Sequence, residues 1–146
     1  MKRTLPAIAG LAAIATPAVT LVEAIRATSA AAATSTVRVV KRTVTGSEAT
    51  ADRWGYIKVS LQVRKTTTVT NGKTKVTRRI IRVTVPEYPN HTDRSVFINQ
   101  QALPYLTQEV MQAQFNSNIQ LISGATDTSY AFQRSLQAAI VKARKV

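Results

Sequence analysis

The chain has 146 residues, enough for one domain with its own core and too few for two. It holds no cysteine, one histidine (His91) and seven acids against twenty Lys and Arg, a net charge of +13. That composition excludes disulfide frameworks and thiolate chemistry, leaves almost nothing for acid–base catalysis, a metal or a cofactor, and argues against an enzyme; it points instead to a polyanionic partner.

Lys2-Arg3 followed by the apolar residues 5–22 has the layout of a secretory leader. Pro6 and Pro17 interrupt the run, and alanine supplies most of its apolar content, so it is too weak to span a membrane. The expectation is an N-terminal arm over residues 1–35, with a short strand or hairpin at 7–23 and an Ala-rich connection after it. Residues 35–44 set Val37 and Val39 against Arg38 and Val40 and read as a strand.

The next segment alternates strictly. Val59, Leu61 and Val63 point one way, and Lys58, Ser60, Gln62 and Arg64 point the other. A β-branched run, Thr66-Thr67-Thr68-Val69-Thr70, extends the strand to Asn71-Gly72, the strongest short signal for a hairpin with a type I′ turn. The return strand is read from Lys73 to Val85, with Ile81, Val83 and Val85 on its apolar face. Arg78, Ile80, Arg82 and Thr84 take the other face, and Pro86 ends the strand.

Residues 87–105 carry Pro89, Asn90, His91 and Pro104 and are predicted to be loop, with one short strand around Val96-Phe97-Ile98. From residue 113 to 121, Ala113, Phe115, Ser117, Ile119 and Leu121 alternate with amides. This predicts a strand whose outward face carries Gln114, Asn116 and Asn118; a helix over 106–115 is the competing assignment. Thr126-Asp127 reads as a helix start, and Phe132, Leu136 and Ile140 recur every four residues. Lys142, Arg144 and Lys145 close that helix, predicted over 126–144, at its C-terminal end.

The fold class predicted is therefore α+β: one domain over 1–146, an antiparallel sheet over 36–123, and a helix over 126–144 covering its apolar face. Twelve basic residues lie between Arg38 and Arg82 against Glu48 and Asp52 alone, so this stretch holds +10 of the +13. Because these cations alternate with Val, Leu and Ile, they sit on strands rather than in a disordered tail.

In this order and spacing, the chain resembles the coat protein of single-stranded RNA bacteriophages, the levivirus type, from about Asp52 onward. The resemblance is carried by Gly55 to Arg64 (GYIKVSLQVR), by Ile81-Arg82-Val83-Thr84-Val85-Pro86, and by Ala125-Thr126-Asp127 with Ala131-Phe132-Gln133-Arg134-Ser135-Leu136. It implies an N-terminal hairpin, an antiparallel sheet, and a C-terminal helix that crosses the sheet of a partner subunit. Phe132, Leu136 and Ile140 would then lie at a dimer interface. Dimers would build an icosahedral shell, assembled in the bacterial cytoplasm, with no membrane partner. The sheet face away from the helices would bind the single-stranded genome and, in several members, an RNA hairpin that controls replicase translation.

The positions matching the family's RNA contacts are Lys58, Ser60, Gln62 and Arg64, Ile80 and Arg82, and Gln114 and Asn116. Arg78 and Asn118 join them from the basic and amide faces. Gln62 is larger than the residue expected there, and Ile80 replaces a hydroxyl, so general packaging is implied more strongly than an adenine pocket. One C-terminal helix is read where relatives carry two. Trp54 reads as a packing residue and His91 as a loop residue. Two rivals remain at this point: a small basic nucleic-acid-binding protein, and an exported basic β-rich protein whose signal peptide is cleaved.

Overall fold

The computed structural model describes residues 35–146. The arm expected over 1–34, and with it the leader-like segment, lies outside the described residues. Strand β1 is Ser35–Thr45, as its alternation predicts, and a two-residue β2, Ala49–Thr50, follows. A single turn of 3-10 helix, Asp52–Trp54, leads into β3, Tyr56–Thr70, which is joined to β4, Lys73–Glu87, by the turn at Asn71-Gly72. Both turn residues have positive φ, 51° and 74°, the condition that makes Asn-Gly the preferred pair.

β3 is the centre of the four-stranded antiparallel sheet. β4 pairs with it from Thr70↔Lys73 to Lys58↔Glu87. β1 and β2 run along its other edge: Gly46 N–H donates to Val59 C=O at 2.8 Å, and Ala49 then lies opposite Ile57. The two register shifts between β3 and β4 matter most. Gln62 pairs with Arg82 but Val63 pairs with Ile80, so Ile81 is an extra residue on β4. A second shift separates Ser60↔Thr84 from Lys58↔Glu87. Each extra residue reverses which side chains face which way beyond it.

After β4 the chain departs from the sequence reading. The stretch expected to be loop with a strand at Val96-Phe97-Ile98 is the helix α1, Asp93–Ala113. Thr92 caps it, its Oγ1 accepting the Ser95 N–H at 3.1 Å, and Asp93 lies favourably in the first turn. Its buried stripe is Ser95, Asn99, Ala102, Leu103, Leu106 and Val110, a helical period whose first members are polar. Pro104 sits on the exposed side of the helix. Buried Asn99 explains the polar positions, because its Nδ2 donates to Pro89 C=O at 2.7 Å and its Oδ1 accepts from Thr128 Oγ1 at 2.9 Å. The amide strand expected over 113–121 is not formed either. α1 ends at Gln114, whose φ is 57°, and 115–125 is irregular chain.

The final helix, α2, is Thr126–Arg144, with the predicted bounds. The molecule thus has two C-terminal helices, not one, and the sheet ends at Glu87 rather than continuing to 123. Residues 36–146 form one compact unit. No helix among the described residues is long and apolar enough to cross a membrane.

α2 lies across the sheet of its own chain. Ile57, Val59, Leu61 and Val63 of β3 and Phe132, Leu136 and Ala139 of α2 are all fully buried in one cluster, with Ile140 at 4% exposure. Phe132, Leu136 and Ile140, expected at a dimer interface, are therefore core residues of the single chain. The physical reason is that β3 needs an apolar cover, and α2 of the same chain presents the apolar stripe that supplies it. The Val59 N–H completes the contact by donating to Ser135 Oγ at 2.9 Å.

Candidate nucleic-acid interface

On β3 the two faces divide as the alternation predicts. Ile57, Val59, Leu61 and Val63 face the helices, and Lys58, Ser60, Gln62 and Arg64 face away. β1 fits the same division. The Thr45 hydroxyl lies 3.1 Å from that of Ser60, so by strand alternation Lys41 shares the face away from the helices and Arg42 does not.

The bulge at Ile81 re-sorts β4. Ile80 lies opposite Val63 and is fully buried on the helix side, and Arg78 lies opposite Lys65 on that same side. Neither belongs to the basic face where the sequence placed it. Arg79 takes that place instead, directly opposite Arg64, with Arg82 opposite Gln62. Thr77, Lys75 and Lys73 continue the face toward the turn, opposite Thr66, Thr68 and Thr70. The Ile80-Ile81 doublet, which breaks strict alternation, is the one sequence signal for this shift.

Two residues of the expected set are present on the face but already engaged. Lys58 Nζ lies 2.7 Å from Glu48 Oε1 and 2.8 Å from Glu87 Oε1. The hydrogen bond to Glu48, then that to Glu87, holds its pKa above the ordinary lysine value. Its charge is neutralised within the fold. Ser60 is buried, its hydroxyl bonded to Thr45 and to Val44 C=O. A base could reach it only by displacing these contacts.

The amides are elsewhere. Gln114 docks on the outer edge of β4, its Oε1 accepting the Ile80 N–H at 2.9 Å and its Nε2 donating to Ile80 C=O at 3.3 Å. It occupies the place of a neighbouring strand at that residue. Asn116 Oδ1 accepts the Asn118 N–H at 3.0 Å, which shapes the loop. None of the three lies on the sheet face, because the strand that was to carry them is a helix end and a loop.

What remains is a surface of exposed Arg64, Arg79 and Arg82 with Lys41, Lys73 and Lys75, interspersed with threonines and half-buried Gln62. Exposed Tyr56, at the start of β3, is separated from these arginines by Lys58 and its partners Glu48 and Glu87. The chain holds no acid from 61 to 86. Like charges directly opposite on adjacent strands destabilise a sheet, and here Arg64 faces Arg79 with no carboxylate near enough in sequence to offset the pair. Such an array is suited to phosphates: point contacts from Lys, planar two-pronged contacts from Arg. No family model matches the chain, and no curated protein matches it significantly, so the reading of this face rests on its geometry.

Proposed function

We propose that the chain is a structural subunit that binds single-stranded RNA on the sheet face away from its helices and packages it as the coat protein of an RNA bacteriophage. In this reading it pairs as homodimers, closes into an icosahedral shell in the host cytoplasm, and ends in the virion. The observation that carries the proposal is the acid-free arginine ladder of Arg64, Arg79 and Arg82, a self-repelling array that a phosphate backbone would relieve. Assembly draws support from two surfaces. Apart from the contact of Gln114 at Ile80, the outer edge of β4 pairs with no strand among the described residues. α1 also exposes Phe97, Tyr105 and Met111. An open strand edge and exposed large apolar side chains are what a second copy would cover. A base-specific adenine pocket is not part of the proposal, since Ser60 is engaged and Ile80 lies on the helix side.

One observation favours a second reading, a monomeric basic nucleic-acid-binding protein: α2 covers the apolar face of β3 within one chain. Expressing the full chain alone and examining it by sedimentation and negative-stain microscopy separates the two. The coat reading expects round closed particles in the megadalton range that co-purify with RNA. A 15.9 kDa species that binds RNA and never forms particles would overturn it in favour of the monomer.

A further inference from the structure

We infer that the hairpin carries a second phosphate-binding surface on its helix side, so that an RNA strand can contact both faces of the outer half of the sheet. The inference rests on the RNA-binding reading above and extends it to a face that reading leaves out. α2 stops at Arg144, but β3 and β4 run on past it toward the turn, so among the described residues no helix covers that part of the sheet's helix side. The uncovered part is not apolar. A shallow groove of about 420 Å³ is lined by Arg38, Val40 and Arg42 of β1, Lys65 and Thr67 of β3, and the chain end at Lys145 and Val146. Arg78 adjoins it, opposite Lys65 and donating from Nε to Val146 O at 2.8 Å.

The charge argument is the same as on the other face but independent of it. Lys65 and Arg78 are directly opposed like charges, brought together by the bulge at Ile81. The contributing segments, 35–45, 61–86 and 128–146, contain no acidic side chain. Of the two opposed cations it is Arg78 that is engaged, by Val146 O, leaving Lys65 with Arg38 and Arg42 toward the groove. Arg38 and Arg42, four residues apart, are about 13 Å apart along β1, so the cations line a track rather than a single-anion pocket. Between them lie Val and Thr, with neither an aromatic to stack a base nor an amide to read one. The surface therefore fits a sugar–phosphate backbone and would be blind to sequence.

The test uses the full chain and a fluorescent single-stranded oligouridylate, with affinity measured against salt concentration. R38A/R42A is compared with wild type, with R38K/R42K and with R64A/R79A. Each phosphate contact to a single strand contributes about 0.7 to the slope of log affinity against log salt, so R38A/R42A should lower it by about 1.4 while R38K/R42K stays near wild type. A wild-type slope for R38A/R42A beside a reduced slope for R64A/R79A would overturn the second surface and leave the first standing. Wild-type slopes for both variants would remove the RNA-binding reading with it. Polyglutamate bound as tightly as the oligonucleotide, and lost in R38A/R42A, would assign the groove to an acidic protein segment and overturn the inference as stated.

Discussion

Leu136→Asp is expected to unfold the chain, not to leave a folded protein that merely fails to pair. Leu136 is fully buried between α2 and the β3 residues Ile57, Val59, Leu61 and Val63, and none of these neighbours can pair with a carboxylate. Truncating a buried Leu alone costs about 2–5 kcal/mol, and an unpaired charge in its place adds several more. The sum is comparable to the whole stability of a domain of this size, about 5–15 kcal/mol. Circular dichroism and thermal melting of the purified variant check this, the expected result being loss of the cooperative transition. A variant that melts like wild type but elutes as a smaller species would show that α2 docks on a partner's sheet instead of its own.

Gly46→Ala should cost less, and for a different reason. A Cβ at residue 46 would lie 2.0 Å from Ser135 O and 2.9 Å from Ser135 C, both backbone atoms of α2. The helix would have to move, and the same movement would pull Ser135 Oγ from the Val59 N–H it accepts at 2.9 Å. Overpacking of this kind costs about 1–3 kcal/mol, and a buried N–H left without its acceptor adds about 1–3 more. With about 3 °C lost per kcal/mol at this chain length, the midpoint should fall by about 10 °C. A midpoint within about 2 °C of wild type would mean that α2 does not press on the β1–β2 connection. The two substitutions probe one feature from opposite sides: an α-helix seated so closely on β3 that it admits neither a charge within the contact nor a methyl group at its rim.

The parts legible in the sequence are those where one simple period governs. Val59, Leu61 and Val63 against Gln62 and Arg64, the Asn71-Gly72 turn, and the period of four through Phe132, Leu136 and Ile140 each follow one local rule. The strand faces, the turn and the helix bounds are found where they were read, while the stripe packs on the chain's own sheet rather than a partner's. α1 was hidden for two physical reasons. Its buried stripe begins with Ser95 and Asn99, polar residues that pay for their burial with bonds to Thr92, Pro89 and Thr128, which no hydropathy pattern reveals. Pro104 also looks like a breaker, yet it stands on the exposed side of the helix, where the lost hydrogen bond is tolerated.

The site was half legible. Gln62 and Arg64 lie where expected because the inserted residue is on β4 and leaves the alternation of β3 intact, and Arg82 because it pairs with Gln62 before the insertion at Ile81 is reached. Arg78 and Ile80 fall on the helix side because Ile81 is inserted into β4, and Arg79 replaces them. The engagement of Lys58 by Glu48 and Glu87, and of Ser60 by Thr45, depends on which strands come to lie beside β3, a tertiary fact that local pattern does not contain.

The most direct test of the account is the triple variant R64A/R79A/R82A, followed in two readouts on the same preparation. With an oligouridylate, the salt slope of binding should fall by about 2 units, three contacts at about 0.7 each. Without RNA, thermal melting should give a midpoint no lower than that of wild type, because removing the opposed guanidinium groups of Arg64 and Arg79 relieves repulsion, and Arg82, opposite Gln62, is exposed. Unchanged affinity and slope in the variant would contradict the claim that this sheet face is where the chain meets nucleic acid.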